Sequence, residues 1–173
     1  YDNFIFTTVI KKEILEANPT DGNYITVYLP SYCEPQLINI FQPFGDIRFE
    51  IFCSQTKEPK TYDNISFLPV NKKMFNQSLI NCTGIITGGG FETPAEALYL
   101  HKKLLVIPMK GQYEQQCNAA ALQVMGVPVI KSLKKKYLSS IISWTKRKQN
   151  ILVNYPDITE EIINHIIKKY SYA

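Results

Sequence analysis

Short runs of β-branched and aromatic residues recur along this chain of 173 residues and alternate with longer stretches of mixed polarity. Residues 24–30, Tyr-Ile-Thr-Val-Tyr-Leu-Pro, follow the turn-forming residues 20–23 and are typical of a buried strand. Five later runs have a similar character. The predicted strands cover 24–30, 47–53, 65–68, 84–87, 104–108 and 127–130.

Helical segments are predicted between and after these strands. Asn71 is a suitable N-cap for one of them, and Gly45 and Gly126 are placed to end two others. The predicted helices cover 34–44, 71–82, 93–101, 113–125, 134–149 and 158–170.

The alternation of strands and helices predicts an α/β fold, a Rossmann-like doubly wound parallel sheet of about six strands with helices on both faces. Ligands of such sheets bind outside the carboxyl ends of the strands, which directs attention to the loops 87–93 and 108–116. Residues 1–20 are the least sheet-like part and are predicted to be a linker or interdomain segment. Residues 21–173 then form the domain, and the lack of an initiator Met at position 1 predicts a fragment of a longer protein.

The bulk composition is that of an ordinary globular protein, with 45% hydrophobic and 20% charged residues. The net charge of +4 is too small to predict nucleic acid as a partner. No apolar run reaches the ~18 residues of a membrane span, and no signal peptide is recognisable. The cysteines form no C-x-x-C pair, which predicts buried free thiols in a reducing cytoplasm; the alternatives are disulfides or a metal site. The histidines show no ligand pattern and are predicted to be solvated residues of loops or helix ends. These residues are Cys33, Cys53, Cys82 and Cys117, and His101 and His165.

A turn of three glycines, residues 88–90, follows the predicted strand 84–87 and precedes a helix. Thr93 is a good N-cap for that helix, with Pro94 at its first position and Glu96 completing a capping box. The free N–H groups and the positive dipole end of the helix would bind an anion such as a phosphate. The alternative is a tight turn without a ligand, since the loop matches neither a Walker A nor a G-x-G-x-x-G motif.

Polar side chains cluster at the start of the next helix. Glu114, Gln115 and Asn118 follow the predicted strand 104–108, and carboxylate and amide groups are suited to hydrogen-bond sugar hydroxyls. The alternative is a solvated first helical turn in which Asn118 caps locally.

Three motifs occur in order within residues 84–130. They are Gly-Gly-Phe-Glu-Thr-Pro-Ala-Glu-Ala-Leu at 89–98, Lys-Leu-Leu-Val-Ile-Pro at 103–108, and Glu-Gln-Gln-Cys-Asn-Ala at 114–119. This order resembles the donor-binding region of GT-B fold glycosyltransferases, including the UDP-glycosyltransferases and the N-acetylglucosaminyltransferase of peptidoglycan synthesis.

The resemblance implies a site for a nucleotide sugar, taken to be a UDP-sugar. It implies that Glu96 binds the ribose hydroxyls, in competition with its capping role, and that Glu114 and Gln115 bind the sugar beside Asn118. The base would lie against the loop that contains Phe67, Leu68, Pro69 and Val70. The glycine turn, backbone N–H groups and a threonine would contact the diphosphate; these residues are Gly88, Gly89, Gly90, Phe91, Glu92 and Thr93.

One residue departs from the pattern of the family. Gly88 stands where many UDP-glycosyltransferases have a histidine on a phosphate, so diphosphate binding here would depend on the helix N-terminus.

The resemblance implies a glycosyltransferase that transfers a hexosyl group to an acceptor without a metal or another cofactor. In GT-B enzymes the acceptor and the catalytic base belong to an N-terminal domain, and this chain corresponds to the C-terminal half. No catalytic residue is therefore expected in it. Two alternatives stay open: an epimerase- or hydrolase-like enzyme acting on sugar nucleotides, and a non-catalytic subunit that binds the sugar donor and pairs with a separate acceptor domain.

Residues 134–148 combine basic side chains with Tyr137 and Trp144. This composition is compatible with peripheral contact at the inner face of an anionic membrane. The alternative is a solvated helix face with Ile141, Ile142 and Trp144 packed inward.

Overall fold

The computed structural model describes residues 6–148 and 151–171 of the chain. Within these ranges, six strands, numbered β1 to β6 in chain order, form one sheet. They are Tyr24–Tyr28, Arg48–Cys53, Lys60–Tyr62, Ile65–Pro69, Gly84–Thr87 and Lys103–Val106.

Seven α-helices, α1 to α7, accompany the strands in the same part of the chain, and 3₁₀ turns at Gln42–Phe44 and Lys135–Tyr137 flank two of them. All six predicted helices are present with shifted ends, although residue 149 of one of them lies outside the described residues. The helices are Lys12–Leu15, Glu34–Phe41, Lys72–Asn81, Glu92–Tyr99, Tyr113–Val124, Leu138–Lys146 and Thr159–Tyr170.

The strand order across the sheet is β3-β4-β2-β1-β5-β6. All neighbouring strands are parallel except β3 and β4, which pair in antiparallel fashion. Val27 at the centre pairs with Ile51 on one side and Ile86 on the other. The predicted α/β sheet of about six strands is confirmed, with the correction that one edge strand is antiparallel.

Two predictions about strands were wrong. Residues 127–130 form only an isolated bridge, Val106 with Val129, because Pro128 has no N–H to extend the ladder. The strand Lys60–Tyr62 was overlooked because its three side chains are polar or exposed and carry no hydrophobic pattern.

The side chains of alternate strand residues enter two separate cores, one on each face of the sheet. Ile86 and Leu105 belong to the first core with residues of α2 and α6. Ile85 and Leu104 belong to the second with residues of α1, α3, α4 and α5. This division places helices on both faces, as the sequence predicted.

Helix α6 is held to the sheet by its indole. Trp144 is buried, and its Nε1 donates to the backbone oxygen of Leu104 at 3.1 Å. Ile141 is also buried, but Ile142 is 42% exposed, so its predicted inward packing was wrong. In the described part of the chain, every helix is too short or too polar to traverse a bilayer.

The segment before β1 packs on the domain. Ile10 and Ile14 are buried in the second core, and Glu13 pairs with Lys72 of α3 at 3.0 Å. Helix α1 was not predicted, because its four residues are too few to show a helical period. The assignment of residues 1–20 to a linker or interdomain segment stays a prediction.

Ile14→Ala tests whether this segment belongs to the folding unit. The side chain is fully buried, and truncation of such a residue to alanine costs about 2–5 kcal/mol. Val9→Ala is the control, because Val9 is 50% exposed in the same segment. Urea unfolding should show a loss for Ile14→Ala only; equal stability of the two variants would mean that the segment is an independent linker.

Candidate functional site

The carboxyl ends of β1, β5 and β6 meet around one small pocket. The loops after these strands and the first turns of α4 and α5 form its walls, and its volume is about 120 Å³. Complete small-molecule sites enclose about 300–1,000 Å³, so this pocket has room for part of a ligand, such as a phosphate group. The lining residues are Tyr28, Leu29, Pro30, Ser31, Thr87, Gly88, Gly90, Thr93, Pro94, Ile107, Met109 and Gln115.

The pocket lies where the winding of the chain through the sheet reverses. β1 connects through α2 to β2 on one side, whereas β5, on the other side of β1, connects through α4 to β6. Because these connections run over opposite faces, a crevice opens between the carboxyl ends of β1 and β5. Doubly wound sheets bind their ligands in this crevice, so the fold itself selects the location.

The side chain of Gln115, in the first turn of α5, joins the loops after β5 and β6. Its Oε1 accepts the backbone N–H groups of Gly89 and Met109, each at 3.0 Å. Its Nε2 donates to Oε1 of Gln112 at 2.6 Å. We call these three bonds the Gln115 clamp. Since its amide oxygen already accepts two bonds, Gln115 shapes the pocket instead of offering that oxygen to a ligand.

Gly89 is packed directly against the backbone of α5. An added Cβ would collide with the carbonyl oxygen of Gln115, whereas a Cβ on Gly90 would meet no atom within 4 Å. The described glycines with positive φ lie elsewhere in the chain. Close approach to the helix, and not a left-handed backbone, is therefore what requires glycine at position 89.

Asn118 provides a second tie to the same turn. Its Nδ2 donates to the carbonyl oxygen of Gly89 at 3.0 Å. Of the three polar residues predicted to bind the sugar, Gln115 and Asn118 thus support the glycine turn, and Glu114 is exposed to solvent.

Helix α4 begins at Glu92, with Phe91 as the N-cap and no side-chain capping bond. The predicted capping box of Thr93 and Glu96 was therefore wrong. Pro94 is tolerated because it still lies in the first turn, where helical N–H groups have no acceptor. Since Pro94 has no N–H, the donors at this helix end come from the residues before it.

The carboxylate of Glu96 forms an ion pair with Lys11 and does not cap the helix. Only 3% of its side chain is exposed, and its Oε1 lies 3.1 Å from Nζ of Lys11. The same ammonium lies 3.3 Å from Oε2 of Glu92. The second oxygen of Glu96, Oε2, is buried without a hydrogen-bond partner in the described structure.

The two partners of this ion pair respond differently to burial. Burial raises the pKa of Glu96, and this outweighs the opposing effect of Lys11. Burial acts to lower the pKa of Lys11, but its bonds to Glu96 and Glu92 outweigh burial, and the pKa of Lys11 is raised. The difference arises because Glu96 is far more deeply buried than Lys11. The distance of 3.1 Å between Nζ of Lys11 and Oε1 of Glu96 is that of a charged pair.

The residues predicted to meet the base, 67–70, lie at the carboxyl end of β4, three strands from β5. A strand spacing of about 4.8 Å puts these two strand ends about 14 Å apart. Phe67 is fully buried, with its ring centroid 6.0 Å from that of Tyr62, so its side chain is not open to a ligand. Pro69 is half-buried and Val70 is exposed.

The predicted site residues therefore fall into distinct positions. Four line the pocket, two form the hydrogen bond between the glycine turn and α5, three are exposed at the starts of α4 and α5, one is paired with Lys11, and four lie at the end of β4. In that order they are Gly88, Gly90, Thr93 and Gln115; Gly89 and Asn118; Phe91, Glu92 and Glu114; Glu96; and Phe67, Leu68, Pro69 and Val70.

Sequence reasoning overlooked the loop after β1. Tyr28, Pro30 and Ser31 line the pocket. The predicted strand 24–30 extended two residues beyond the observed end at Tyr28, which concealed the loop. The carboxyl-end rule applies to every strand, so the Ser31 hydroxyl could have been considered on that ground.

The cysteines and histidines are the other candidate reactive groups in the sequence. Within residues 6–148 and 151–171, no group of three or more His, Cys, Asp or Glu side chains is arranged to bind a metal ion. The cysteines are free thiols, and Cys53 and Cys82 are buried as predicted. The prediction of buried thiols was wrong for Cys33 and Cys117, which are exposed. His101 is exposed just after α4, in a left-handed conformation with φ of 57°.

Comparison with known proteins identifies the family of this chain. The model of the family described as glycosyl transferase family 1 matches residues 2–145. No curated protein matches the chain.

Solved structures share the fold at low sequence identity. The glycotransferase of kitacinnamycin aligns with a TM-score of 0.56 at 12% identity, over 85% of this chain and 39% of that one. The glycosyltransferase SnogD from Streptomyces nogalater aligns with a TM-score of 0.50 at 16% identity, over 92% and 47%. The solution structure of ALG13 aligns with a TM-score of 0.53 at 12% identity, over 84% and 98%. The chain thus spans less than half the length of the first two structures.

The fold and the position of the pocket define a doubly wound α/β domain of the GT-B type, with its ligand crevice at the switch point of the sheet. The chain belongs to glycosyl transferase family 1.

Gly89→Ala should disturb the joined loops, because its Cβ would collide with the backbone of α5. Overpacking of this kind costs about 1–3 kcal/mol. Gly90→Ala is a matched control one residue away, with open space around its Cβ and an expected change within about 0.5 kcal/mol. Urea unfolding compares the two; a loss of stability in Gly90→Ala equal to that in Gly89→Ala would contradict the assigned packing.

Proposed function

We propose that this chain is the domain of a glycosyltransferase that binds the sugar donor, a UDP-sugar carrying the hexose to be transferred. The observation that carries the proposal is the pocket formed at the switch point by the glycine turn, the start of α4 and the Gln115 clamp. Membership of glycosyl transferase family 1 supports the same class of reaction.

The diphosphate is assigned to the start of α4. The backbone N–H groups of Glu92 and Thr93 lie in the first helical turn, where no helical acceptor is available. Gly90 has open space on its Cα, which allows a phosphate to approach the backbone closely. The helix dipole adds a positive potential at the same place.

The sugar is assigned to the start of α5, with Glu114 as its main contact. Gln115 is engaged in the clamp and Asn118 in its bond to Gly89, whereas the carboxylate of Glu114 is exposed. A carboxylate accepts hydrogen bonds from sugar hydroxyls in the same way as from any hydroxyl.

The base is assigned to the end of β4, where Pro69 and Val70 are the accessible residues. The end of β4 lies about 14 Å from the end of β5, so a nucleotide whose diphosphate is at the start of α4 would extend across the ends of β1 and β2 to reach it. Uracil remains the proposed base, on the family resemblance alone.

In the proposed reaction, an acceptor nucleophile attacks the anomeric carbon of the sugar. The bond from that carbon to the diphosphate oxygen breaks, and the leaving diphosphate takes the electron pair. N–H donors at the start of α4 stabilise the developing negative charge. The acceptor and the base that removes its proton belong, in this proposal, to an N-terminal domain, and no metal or cofactor is required.

The small pocket supports a two-part site. Its volume of about 120 Å³ covers only a fraction of a nucleotide sugar, so a second wall is needed to enclose the rest. An alternative is a subunit that binds the donor and pairs with a separate acceptor chain. The ALG13 structure favours this arrangement, because 98% of its length corresponds to this one domain.

We further propose a cytoplasmic location, in keeping with four free cysteines. Contact with an anionic membrane is proposed through the exposed lysines 131 and 134–136. The backbone N–H of Leu133 donates to the hydroxyl of Tyr32 at 2.9 Å, which ties this basic loop to the loop after β1 beside the pocket.

Calorimetric titration of the chain with UDP tests the site directly. Weak binding is expected, and Thr93→Ala should lower the affinity roughly 3- to 10-fold through the loss of one hydrogen bond. Thr61→Ala, on the exposed edge strand β3, is the control and should bind like the parent. The absence of heat with UDP and with other nucleotides would overturn the proposal, and an unchanged Thr93→Ala would remove that residue from the site.

Glu114→Ala separates the sugar contact from the nucleotide contact. The variant should bind UDP normally but lose the additional affinity for UDP-glucose or UDP-N-acetylglucosamine, roughly 3- to 10-fold for one hydrogen bond. Glu160→Ala on α7 serves as the control for the loss of one negative charge. A parallel loss of affinity for UDP and for both UDP-sugars would contradict the assignment of Glu114 to the sugar.

A further inference from the structure

The carboxylate of Glu96, which the family resemblance connects with the ribose, is closed off in the unliganded domain. Glu96 is fixed through Oε1 to Lys11, and its Oε2 is buried without a hydrogen-bond partner in the described structure. A ligand hydroxyl can reach neither oxygen unless a covering group moves. A buried carboxylate oxygen that lacks a partner is costly, so this position favours the arrival of a hydrogen-bond donor.

Lys11 is the group most easily displaced. Its side chain is 37% exposed, and it belongs to the segment before β1, whereas Glu96 is fixed in α4. The ammonium donates to the carboxylate much as a ribose hydroxyl would. Its second partner, Glu92, is exposed and remains available for an ion pair after Lys11 leaves Glu96.

We propose that Lys11 and the ribose of the sugar donor compete for Glu96. In the free domain Lys11 covers the carboxylate; in the bound domain the ribose takes its place, and the segment 6–15 is loosened. This inference rests on the proposed function, since it takes the ligand to be a ribonucleotide.

The competition couples the site to the segment before β1. That segment is attached through few groups near Lys11: Ile10 and Ile14 in the second core, and the ion pair of Glu13 with Lys72. Lys11 adds a further attachment through Glu96 and Glu92, and its withdrawal from Glu96 leaves only the pair with the exposed Glu92. Binding of the sugar donor would therefore be transmitted to the part of the chain that precedes the domain.

The test compares the dissociation constants of UDP and 2′-deoxy-UDP, whose ratio isolates the contact to the ribose hydroxyl. Charge effects on the diphosphate cancel in this ratio, because both ligands carry the same phosphates. Lys11→Met removes the competitor, and the ratio in favour of UDP should rise about tenfold, as for a hydrogen bond to a charged group. Lys11→Arg keeps the ion pair and should keep the parent ratio.

Lys12→Met is the matched control. Lys12 is the next residue in the same segment and pairs only with Glu16 among the described ion pairs, at 3.6 Å. In Lys12→Met, the ratio of the dissociation constants of UDP and 2′-deoxy-UDP should equal that of the parent. An unchanged or reduced ratio in Lys11→Met would overturn the competition.

The outcomes also separate this inference from the proposed function. If parent and Lys11→Met both bind UDP but neither distinguishes it from 2′-deoxy-UDP, Glu96 does not contact the ribose; the inference then fails and the diphosphate site stands. If neither protein binds UDP, the proposed function fails and the inference with it.

Hydrogen exchange on the parent protein gives a second readout that needs no variant. Saturating UDP should accelerate amide exchange in residues 10–15, whereas 2′-deoxy-UDP should have a smaller effect. Slower exchange in this segment on binding UDP would overturn the proposal, because it would show that the ligand fastens the segment instead of loosening it.

Discussion

The amide oxygen of Gln115 is the point on which the carboxyl edge of this domain depends. It accepts two backbone N–H groups, from Gly89 after β5 and from Met109 after β6. Each bond contributes only about 1 kcal/mol net, but an unpaired N–H in either loop would cost more. The same contact brings the backbone of α5 so close to Gly89 that no side chain fits there. The clamp therefore fixes how the starts of α4 and α5 face each other across the pocket.

The electrostatic character of the site follows from this arrangement. The start of α4 offers N–H groups and a positive dipole end, but Pro94 removes one donor and Glu92 adds a negative charge. Lys11 offsets part of that charge through its ion pairs with Glu92 and Glu96. The balance leaves a weakly positive potential at the start of α4. Together with the small pocket, it suits a site that is completed by a second domain or subunit.

The parts of the fold that could be predicted are those that hydrophobic periodicity controls. The strand 84–87 was predicted residue for residue, because four consecutive buried residues leave little choice. The strand Lys60–Tyr62 could not be predicted, since pairing at an exposed edge imposes no apolar pattern. The start of α4 was misplaced for another reason. The sequence around Thr93 and Glu96 fits a capping box, but Glu96 forms an ion pair with Lys11 instead. That contact joins distant parts of the chain, so the local sequence does not reveal it.

The candidate site shows why a motif can predict a location better than the role of each residue. The glycine turn and the start of α5 were expected side by side, and they are, because parallel strands bring their carboxyl ends to one edge. Within that region, the side chains of Gln115 and Asn118 form hydrogen bonds with the protein's own backbone. The groups left for a ligand are those the internal bonds do not use: N–H groups of the first turn of α4 and the exposed carboxylate of Glu114. Ser31 lines the pocket from a loop outside the motif. Residue types at fixed spacing thus identify one edge of the sheet. Only the hydrogen-bond pattern separates the residues that build the pocket from those whose polar groups stay open.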